Sequence, residues 1–231
     1  LHHARGMAGA AQRLALSAAG REESLAGSIR ITASDIVATY VLPPILTALH
    51  LAEPEIEIEL VASDRTENLL LREADIAVRM YRPTQADVFR KKVAEMQIGM
   101  FAAPGYLKRR GTPRQLEDFL QHDVIGYDRN EQVIEGLRAV GLEVERDFFS
   151  FRCDNQVVCW KMVVAGFGIG FNQLSVGLAE PAVQQIEVDV PLPRLPLWLT
   201  AHNELKTSLR VRRVFDFLAE HLAKATARKN P

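Results

Sequence analysis

Over the first third of the chain, short stretches of alternating apolar and polar residues are separated by helical patterns. Residues 28–34 and 56–60 alternate as strands, and the apolar run at 75–80 is typical of a buried strand. The stretches between them, YVLPPILTALHLA and ENLLLREA, have helical character, with Pro43 and Pro44 tolerable only in a first turn. This order of strands and helices predicts a parallel sheet covered by helices.

A similar pattern fills the rest of the chain. Two long apolar stretches, residues 93–104 and 195–202, predict long strands, and the stripe over 208–222 predicts an amphipathic helix. The remaining predicted elements are short strands at 123–127, 148–154, 169–172 and 185–190, and helices at 114–122 and 156–166. The simplest topology is two α/β lobes joined by the two long strands, and the cleft between two such lobes is a common ligand site.

These patterns also predict domain boundaries. Residues 1–23 form an Ala-rich helix and a polar connection. Residues 24–93 and 200–231 form the first lobe, and residues 94–199 form the second.

The run GFGIG at residues 166–170 is similar to the start of a dinucleotide-binding fingerprint. That fingerprint needs a strand before the glycines and a helix after them, whereas here a helix precedes and a strand follows. Gly166 therefore fits the left-handed position that ends a helix, and Gly168 and Gly170 allow a tight, closely packed turn. The sequence predicts a structural turn rather than a phosphate loop.

Composition excludes some classes of function. The chain has 231 residues and a net charge of −1, so it has no overall positive potential that would attract nucleic acid. It has no apolar run long enough to span a membrane. Its first residues lack the apolar core of a signal peptide, and two cysteines are typical of a reducing cytoplasm. The sequence contains no catalytic constellation and no clustered metal spacing, so we expect neither an enzyme nor a cofactor.

Cys153 and Cys159 lie six positions apart around a predicted strand-to-helix junction. Buried, inert thiols are the favoured interpretation, because free cysteine usually behaves as a small buried apolar residue. A peroxide-sensing pair is the alternative.

An ordered series of motifs indicates a family. They are GSIRITAS, YVLPPIL, EIEIELVASDR, LLLREADIAVRM, MFAAPGYL, CDNQVVCWKMVVAGFGIGFNQ and LPLWLTAHNELKTSLRVRRVFDFL. Over residues 1–223 the chain resembles the effector-binding domain of LysR-type transcriptional regulators. The resemblance implies two Rossmann-like lobes joined by two crossover strands, an α/β fold like that of type II periplasmic binding proteins. It also implies that residues 1–19 end a linker helix, and that DNA is bound by an N-terminal winged helix-turn-helix absent from this sequence.

The predicted strand ends supply candidate ligand contacts. In the family, the position of Ser34 lines the ligand pocket, and helix N-termini at such strand ends favour a carboxylate. Alternatively, Ser34 and Asp154 only cap their helices, and Arg79 forms a surface salt bridge. The candidates are Ser34, Ile36, Ser63 and Arg79 in the first lobe, and Tyr127, Asn155, Phe171 and Asn172 in the second.

Together these observations predict a cytoplasmic effector-sensing domain that binds a small carboxylate-bearing molecule between its lobes. The resemblance implies a homodimer formed through this domain, with IEIEL and ILTALHLA at the interface, and a tetramer of the full-length regulator. The alternative is a periplasmic solute receptor of a transporter, because such receptors have the same two-lobed type of fold.

Overall fold

The computed structural model of the chain describes residues 24–64 and 74–227. They divide into two compact units: unit 1 runs to Ala94 and resumes at Pro196, and unit 2 is Glu95–Leu195. The predicted linker helix and residues 67–73 of the predicted ENLLLREA helix lie outside the described residues.

Unit 1 is built on a sheet whose first three strands are parallel, as the sequence predicts. The strands are β1 (Gly27–Ala33), β2 (Ile56–Ala62) and β3 (Ile76–Arg79), in the order β2-β1-β3. A further strand of the chain, Arg194–His202, pairs with β3 in antiparallel fashion.

Within the described residues of unit 1, the α-helices are α1 (Asp35–Tyr40), α2 (Leu42–Ala52) and the C-terminal helix Leu209–Ala227. The residues from Asp35 to Ala52 do not form one continuous helix, because α1 ends at Tyr40 and α2 begins after Val41. Pro43 and Pro44 stand in the first turn of α2, where their missing N–H groups cost nothing, as predicted. The C-terminal helix buries its predicted apolar stripe, which consists of Val211, Val214, Phe215, Leu218 and Leu222.

Unit 2 combines antiparallel and parallel strands. The long strand β4 (Val88–Ala102) starts within the range of unit 1 and continues into unit 2. It begins five residues before the predicted 93–104, because the partly apolar stretch ahead of it is also extended. A short parallel pair is formed by β5 (Val124–Gly126) and β6 (Phe149–Arg152). Two strands pair antiparallel with β4, namely β7 (Gly170–Gln173) and β8 (Gln184–Ile186). The strand Arg194–His202 is β9.

The helices of unit 2 are α3 (Pro104–Arg110), α4 (Gln132–Ala139), α5 (Gln156–Val164) and α6 (Leu174–Leu178), which makes the C-terminal helix α7. The predicted helix at 114–122 is a 3-10 helix, Leu116–Gln121. Its capping box joins Gln115 and Asp118, so Pro113 precedes the helix instead of opening it. Further 3-10 turns lie at Arg146–Phe148 and Asn203–Leu205.

The GFGIG segment is a turn from helix to strand, as predicted. Gly166 has a φ of 80°, and its N–H donates to Val163 O at 2.9 Å. The N–H of Phe167 donates to Met162 O at 3.0 Å, which completes a Schellman motif at the end of α5. A Cβ on Gly170 would lie 2.4 Å from Val163 Cγ2, so this glycine permits close packing of β7 on α5.

Candidate functional site

Three of the candidate residues lie side by side at the carboxyl end of the unit 1 sheet. Ala33, the last residue of β1, is opposite the last residue of β2 and the second-last residue of β3. Ser34, Ser63 and Arg79 therefore occupy the next row, which we call the unit 1 edge. The N–H of Ser63 donates to Ala33 O at 2.9 Å, so the backbone ladder extends one residue beyond β2.

The hydroxyl of Ser34 does not cap its helix. Ser34 stands at the N-cap position of α1, yet its side chain makes no capping hydrogen bond. The side chain is buried, and its Oγ has no hydrogen-bond partner among the described residues. Ile36, two residues further, is fully buried in the core, so it shapes the surroundings of this hydroxyl through packing.

Arg79 is a buried cation. Its exposed fraction is 2%, so the expectation of a surface salt bridge is wrong. Its Nη2 donates to Thr32 Oγ1 at 3.0 Å, and its Nη1 makes a long contact of 3.4 Å to Val78 O. Burial lowers the pKa of the guanidinium, but arginine retains its charge in proteins. Thr32 and Val78 are neutral partners for this charge, which is the environment of an anion-binding arginine.

Two carboxylates act on Arg79 through space. Asp64 and Asp35 both favour its charged form, as does the hydroxyl of Tyr81. The N–H of Asp35 donates to Asp64 Oδ1 at 3.2 Å. Burial, and then the charge of Asp35, raises the pKa of Asp64. The negative charges of these two acids partly offset the positive charge of the guanidinium. They would also repel a ligand anion on their side of the unit 1 edge.

Two candidates of unit 2 lie on neighbouring segments. Val124 of β5 bridges Ile169 in parallel, so the segments that continue to Tyr127 and to Asn172 start side by side. The side chain of Asn172 is buried, and its Nδ2 has no hydrogen-bond partner in the described part of the chain. Phe171 is half-buried and packs against the apolar core of unit 2.

Asp154 fills an anion-binding turn of unit 2. Its Oδ1 accepts hydrogen bonds from the N–H groups of Asp128 (3.0 Å), Arg129 (2.9 Å) and Asn130 (3.4 Å). Its Oδ2 accepts from Arg129 Nε at 2.8 Å, and these bonds, that of the Arg129 side chain first, lower the pKa of Asp154 to about 2. Consecutive backbone N–H groups of this kind form a nest for anions.

The expectation that Asp154 is the N-cap of the following helix is wrong. Asn155 takes that place, and its side chain accepts from the N–H of Val158 at 3.0 Å. The carboxylate of Asp154 does not cap this helix because it binds the N–H groups of the turn at residues 128–130 instead. Sequence alone could not distinguish the two, since both residue types cap helices well.

Unit 2 also contains a polar cluster that sequence reasoning missed. The hydroxyl of the buried Tyr106 accepts from the N–H of Asp123 at 2.8 Å, and Arg110 Nε lies 3.5 Å from Asp123 Oδ2. The same hydroxyl lies 3.1 Å from His122 Nδ1. When it donates its proton to this nitrogen, the imidazole is unprotonated at Nδ1. Tyr106 and Arg110 are four residues apart on α3, and His122 and Asp123 are adjacent, but no sequence pattern indicates that these two pairs meet.

We expect the stability of unit 2 to fall in acid through His122. Burial, and then the charge of Arg110, lowers the pKa of His122, while Asp118 and Asp123 oppose this shift. Because the unfolded chain binds the proton more readily, the stabilisation is present above the ordinary histidine pKa and decreases as the pH falls through it.

Urea unfolding between pH 8 and pH 5 measures this effect, with Trp160 fluorescence in a Trp198→Phe background reporting on unit 2. His122→Gln should flatten the pH dependence, and the exposed-site control His50→Gln should retain it. Equal slopes in both variants would contradict the assignment.

The two cysteines have different environments. Cys159 is buried, its Sγ lies 3.0 Å from Cys153 O, and burial raises the pKa of its thiol to about 12. Cys153 is half-buried, and both thiols are free. Since the thiolate is the reactive form, these facts support the interpretation of Cys159 as inert.

We predict that Cys159 resists iodoacetamide at pH 8 in the folded chain and reacts once the chain is denatured. Mass spectrometry of a Cys153→Ser variant isolates the relevant thiol. Rapid modification of Cys159 under native conditions, or a disulfide in the wild type after mild peroxide, would instead favour the redox interpretation.

Across residues 24–64 and 74–227, no group of three or more His, Cys, Asp or Glu side chains could hold a metal ion. In those same ranges no helix combines the length and apolar character needed to cross a membrane.

The family follows from comparison with known proteins. The model of the LysR substrate binding domain family matches residues 22–223, so the chain belongs to this family. The fold agrees: the structure of the CrgA regulatory domain, a LysR-type transcriptional regulator from Neisseria meningitidis, has a TM-score of 0.75 at 20% identity, over 85% of this chain and 99% of that one. The chain is thus an effector-binding domain of the LysR type.

Individual relatives are regulators rather than enzymes. CrgA of N. meningitidis is 23% identical over 207 residues, which is 85% of this chain and 67% of the relative. The Mau operon transcriptional activator of Paracoccus denitrificans is 31% identical over 112 residues, which is 44% of this chain and 40% of that protein. The full-length Vibrio cholerae virulence activator AphB has a TM-score of 0.73 at 20% identity, over 94% and 76% of the two chains. This chain thus spans about two thirds of the length of CrgA and less than half of that of the Mau activator.

Proposed function

We propose that this chain is the effector-sensing and dimerisation part of a cytoplasmic LysR-type regulator, without enzymatic activity. In this proposal it binds a small organic molecule through a carboxylate, and the unit 1 edge receives that group. An effector acts through unequal affinity for two arrangements of the regulator. The transporter-receptor alternative is not favoured, because the curated relatives described above are transcriptional regulators.

The buried guanidinium of Arg79 is the observation that carries the proposal. A charge removed from water needs compensation, and the hydrogen bonds of Arg79 to Thr32 and Val78 are to neutral groups. A ligand carboxylate would supply the opposite charge as well as two acceptors for the planar N–H groups. The unpaired hydroxyl of Ser34, in the same row, adds a further donor.

The anion-binding turn of unit 2 is a poor site for the ligand carboxylate. Its strand-end nest, formed by the N–H groups of Asp128, Arg129 and Asn130, already holds the carboxylate of Asp154. A ligand anion placed there would meet a negative charge. Tyr127 and Asn172 carry hydroxyl and amide groups, which suit neutral polar groups rather than an anion.

A thermal-shift screen with matched pairs tests this proposal. The pairs are acetate and acetamide, hexanoate and hexanamide, benzoate and benzamide, and phenylacetate and phenylacetamide. A ligand specific to the folded state raises stability by mass action, so at least one carboxylate should raise the Tm in a saturable way while its amide does not. If only amides bind, or if no carboxylate binds, the carboxylate proposal fails.

The remaining parts of the proposal concern assembly. We infer a homodimer formed through this domain, a tetramer of the full-length regulator, and DNA binding by a separate N-terminal domain. Strand β2 ends the order β2-β1-β3, and Leu60 on it is 40% exposed. Leu51 at the end of α2 is 77% exposed. An edge strand and a nearby exposed leucine fit a surface that a second copy covers.

Sedimentation velocity checks the interface. Leu51→Glu should shift the dimer towards monomer, because it places a charge in an apolar contact. Leu209→Glu, at another exposed leucine of unit 1, is the matched control and should sediment like the wild type. A wild type that remains monomeric at high concentration would contradict the dimer.

A further inference from the structure

Strand β9 places two unpaired polar side chains beside the unit 1 edge. Thr200 Oγ1 and Trp198 Nε1 are buried and have no hydrogen-bond partner among the described residues. The exposed fraction of Thr200 is 1%, so water has little access to its hydroxyl. Neither residue emerged from the sequence patterns, because β9 reads as a continuous apolar strand.

The strand register places both groups on the face of Arg79. In the antiparallel pair of β3 and β9, Arg79 is opposite Trp198 and Ala77 is opposite Thr200. In the parallel pair of β1 and β3, Thr32 is opposite Ala77. Paired residues and alternate residues along a strand share a face of the sheet. These five side chains therefore form one patch at the carboxyl end of β3.

Ala77 lies between the two threonines of this patch in the strand register. Adjacent strands lie about 4.8 Å apart, so Thr32 and Thr200 stand roughly 10 Å apart on either side of this small residue. The guanidinium of Arg79 leans towards Thr32, to which Nη2 donates at 3.0 Å. The flank towards β9 keeps the unpaired hydroxyl of Thr200 and the unpaired indole of Trp198.

The chemistry of these groups defines what fits. An indole N–H can only donate, a guanidinium can only donate, and a hydroxyl can do so. A buried donor without a partner is destabilising, so the unpaired indole and hydroxyl beside the guanidinium favour an occupant rich in acceptors. The charged groups acting on Arg79 are Asp35 and Asp64, which belong to the β1 and β2 ends rather than to β9. An anion therefore meets least repulsion on the β9 side.

We propose that Trp198 Nε1 and Thr200 Oγ1 are specificity-determining contacts that, with Arg79, bind the two oxygens of a ligand carboxylate. This inference rests on the proposed function and names the side chains that carry it. Arg79 binds one oxygen and supplies the charge. Thr200 and Trp198 bind the other oxygen and fix the plane of the carboxylate on the β9 flank.

Affinity measurements on two variants test the inference. The probe is the carboxylate of the panel above that gives the largest thermal shift on the wild type. Thr200→Val and Trp198→Phe should each weaken its binding by about 10- to 100-fold in calorimetry, the range for one hydrogen bond to a charged acceptor. Thr47→Val and Trp160→Phe are the matched controls. Trp160 has an equally unpaired indole N–H, but it lies in unit 2.

A second readout does not depend on a change of affinity. The chain contains two tryptophans, so an NMR spectrum shows two indole N–H signals. Saturating carboxylate should shift the signal of Trp198 downfield and leave that of Trp160 in place. The two signals are assigned by the single Trp→Phe variants.

The possible results distinguish a failure of this inference from a failure of the proposed function. If the probe binds the wild type, and Thr200→Val and Trp198→Phe bind it as tightly, the inference is overturned and the proposed function stands. If Trp160→Phe loses as much affinity as Trp198→Phe, the inference is also overturned. If no carboxylate of the panel binds the wild type, the proposed function fails and the inference fails with it.

Discussion

Arg79→Met is expected to weaken binding of the probe carboxylate by at least about 100-fold, because the variant removes the positive charge from a buried site. The side chain of Arg79 is 2% exposed, so neither water nor salt can replace the lost interaction. The matched amide should bind the wild type and the variant with similar weak affinity, since it carries no charge.

The same substitution should leave the unliganded chain as stable as the wild type or more so. Burial of the guanidinium is costly where its recorded hydrogen bonds, within the described ranges, go to the neutral groups of Thr32 and Val78, and a methionine of similar length removes that cost. Thr32 loses a donor but keeps its own hydrogen bond to Val61 O at 3.1 Å. Loss of binding with retained stability distinguishes a ligand-binding arginine from one that holds the fold together.

Arg30→Met is the matched control for this experiment. Arg30 also lies on the unit 1 sheet, but it is about half exposed and pairs with Glu59 at 3.1 Å. Exposed pairs contribute little, so both affinity and stability should change only slightly. Calorimetry and urea unfolding on the two variants give the comparison. Equal loss of affinity in both, or collapse of the fold in Arg79→Met alone, would contradict the assignment of Arg79.

The largest effect on stability is expected for Gly168→Ala. A Cβ at this position would lie 2.2 Å from the carbonyl oxygen of Asp123. That oxygen accepts the N–H of Ile169 at 2.8 Å, which joins β5 to the segment leading into β7. The obstacle is backbone and cannot rotate away, so unit 2 should lose about 2–4 kcal/mol of stability.

Gly136→Ala is the matched control, with the opposite sign. Gly136 is inside helix α4, and a Cβ there would meet nothing within 4 Å. Alanine lowers the entropy of the unfolded chain and suits a helix, so we expect a gain of about 0.5–1 kcal/mol. Urea unfolding followed by Trp160 fluorescence in the Trp198→Phe background measures both variants. A Gly168→Ala protein as stable as the wild type would show that the turn is looser than described.

Elements with a clear period were predictable from the sequence. The strand alternation of β1 and β2, the apolar stripe of α7 and the glycine that ends α5 each depend on local geometry, and each is confirmed. Helices α3, α4 and α6 were missed. They have five to eight residues, too few to show a helical period clearly.

The candidate site was predictable in position but not in chemistry. Ser34, Ser63 and Arg79 were chosen as strand-end residues, and the strand register does place them in one row. Whether Arg79 is buried, or whether the Ser34 hydroxyl caps its helix, depends on tertiary packing, which the sequence pattern does not encode. Thr200 and Trp198 came to light only through the pairing of β3 with β9.

Amide chemical shifts of the 15N-labelled chain, titrated with the probe carboxylate, test the central claim most directly. The account predicts that the largest shifts occur at the unit 1 edge, at the amides of Ser34, Ser63 and Arg79. The amides of Asp128, Arg129 and Asn130, which Asp154 already occupies, should stay unchanged. Shifts centred on residues 128–130, with none at the unit 1 edge, would contradict it.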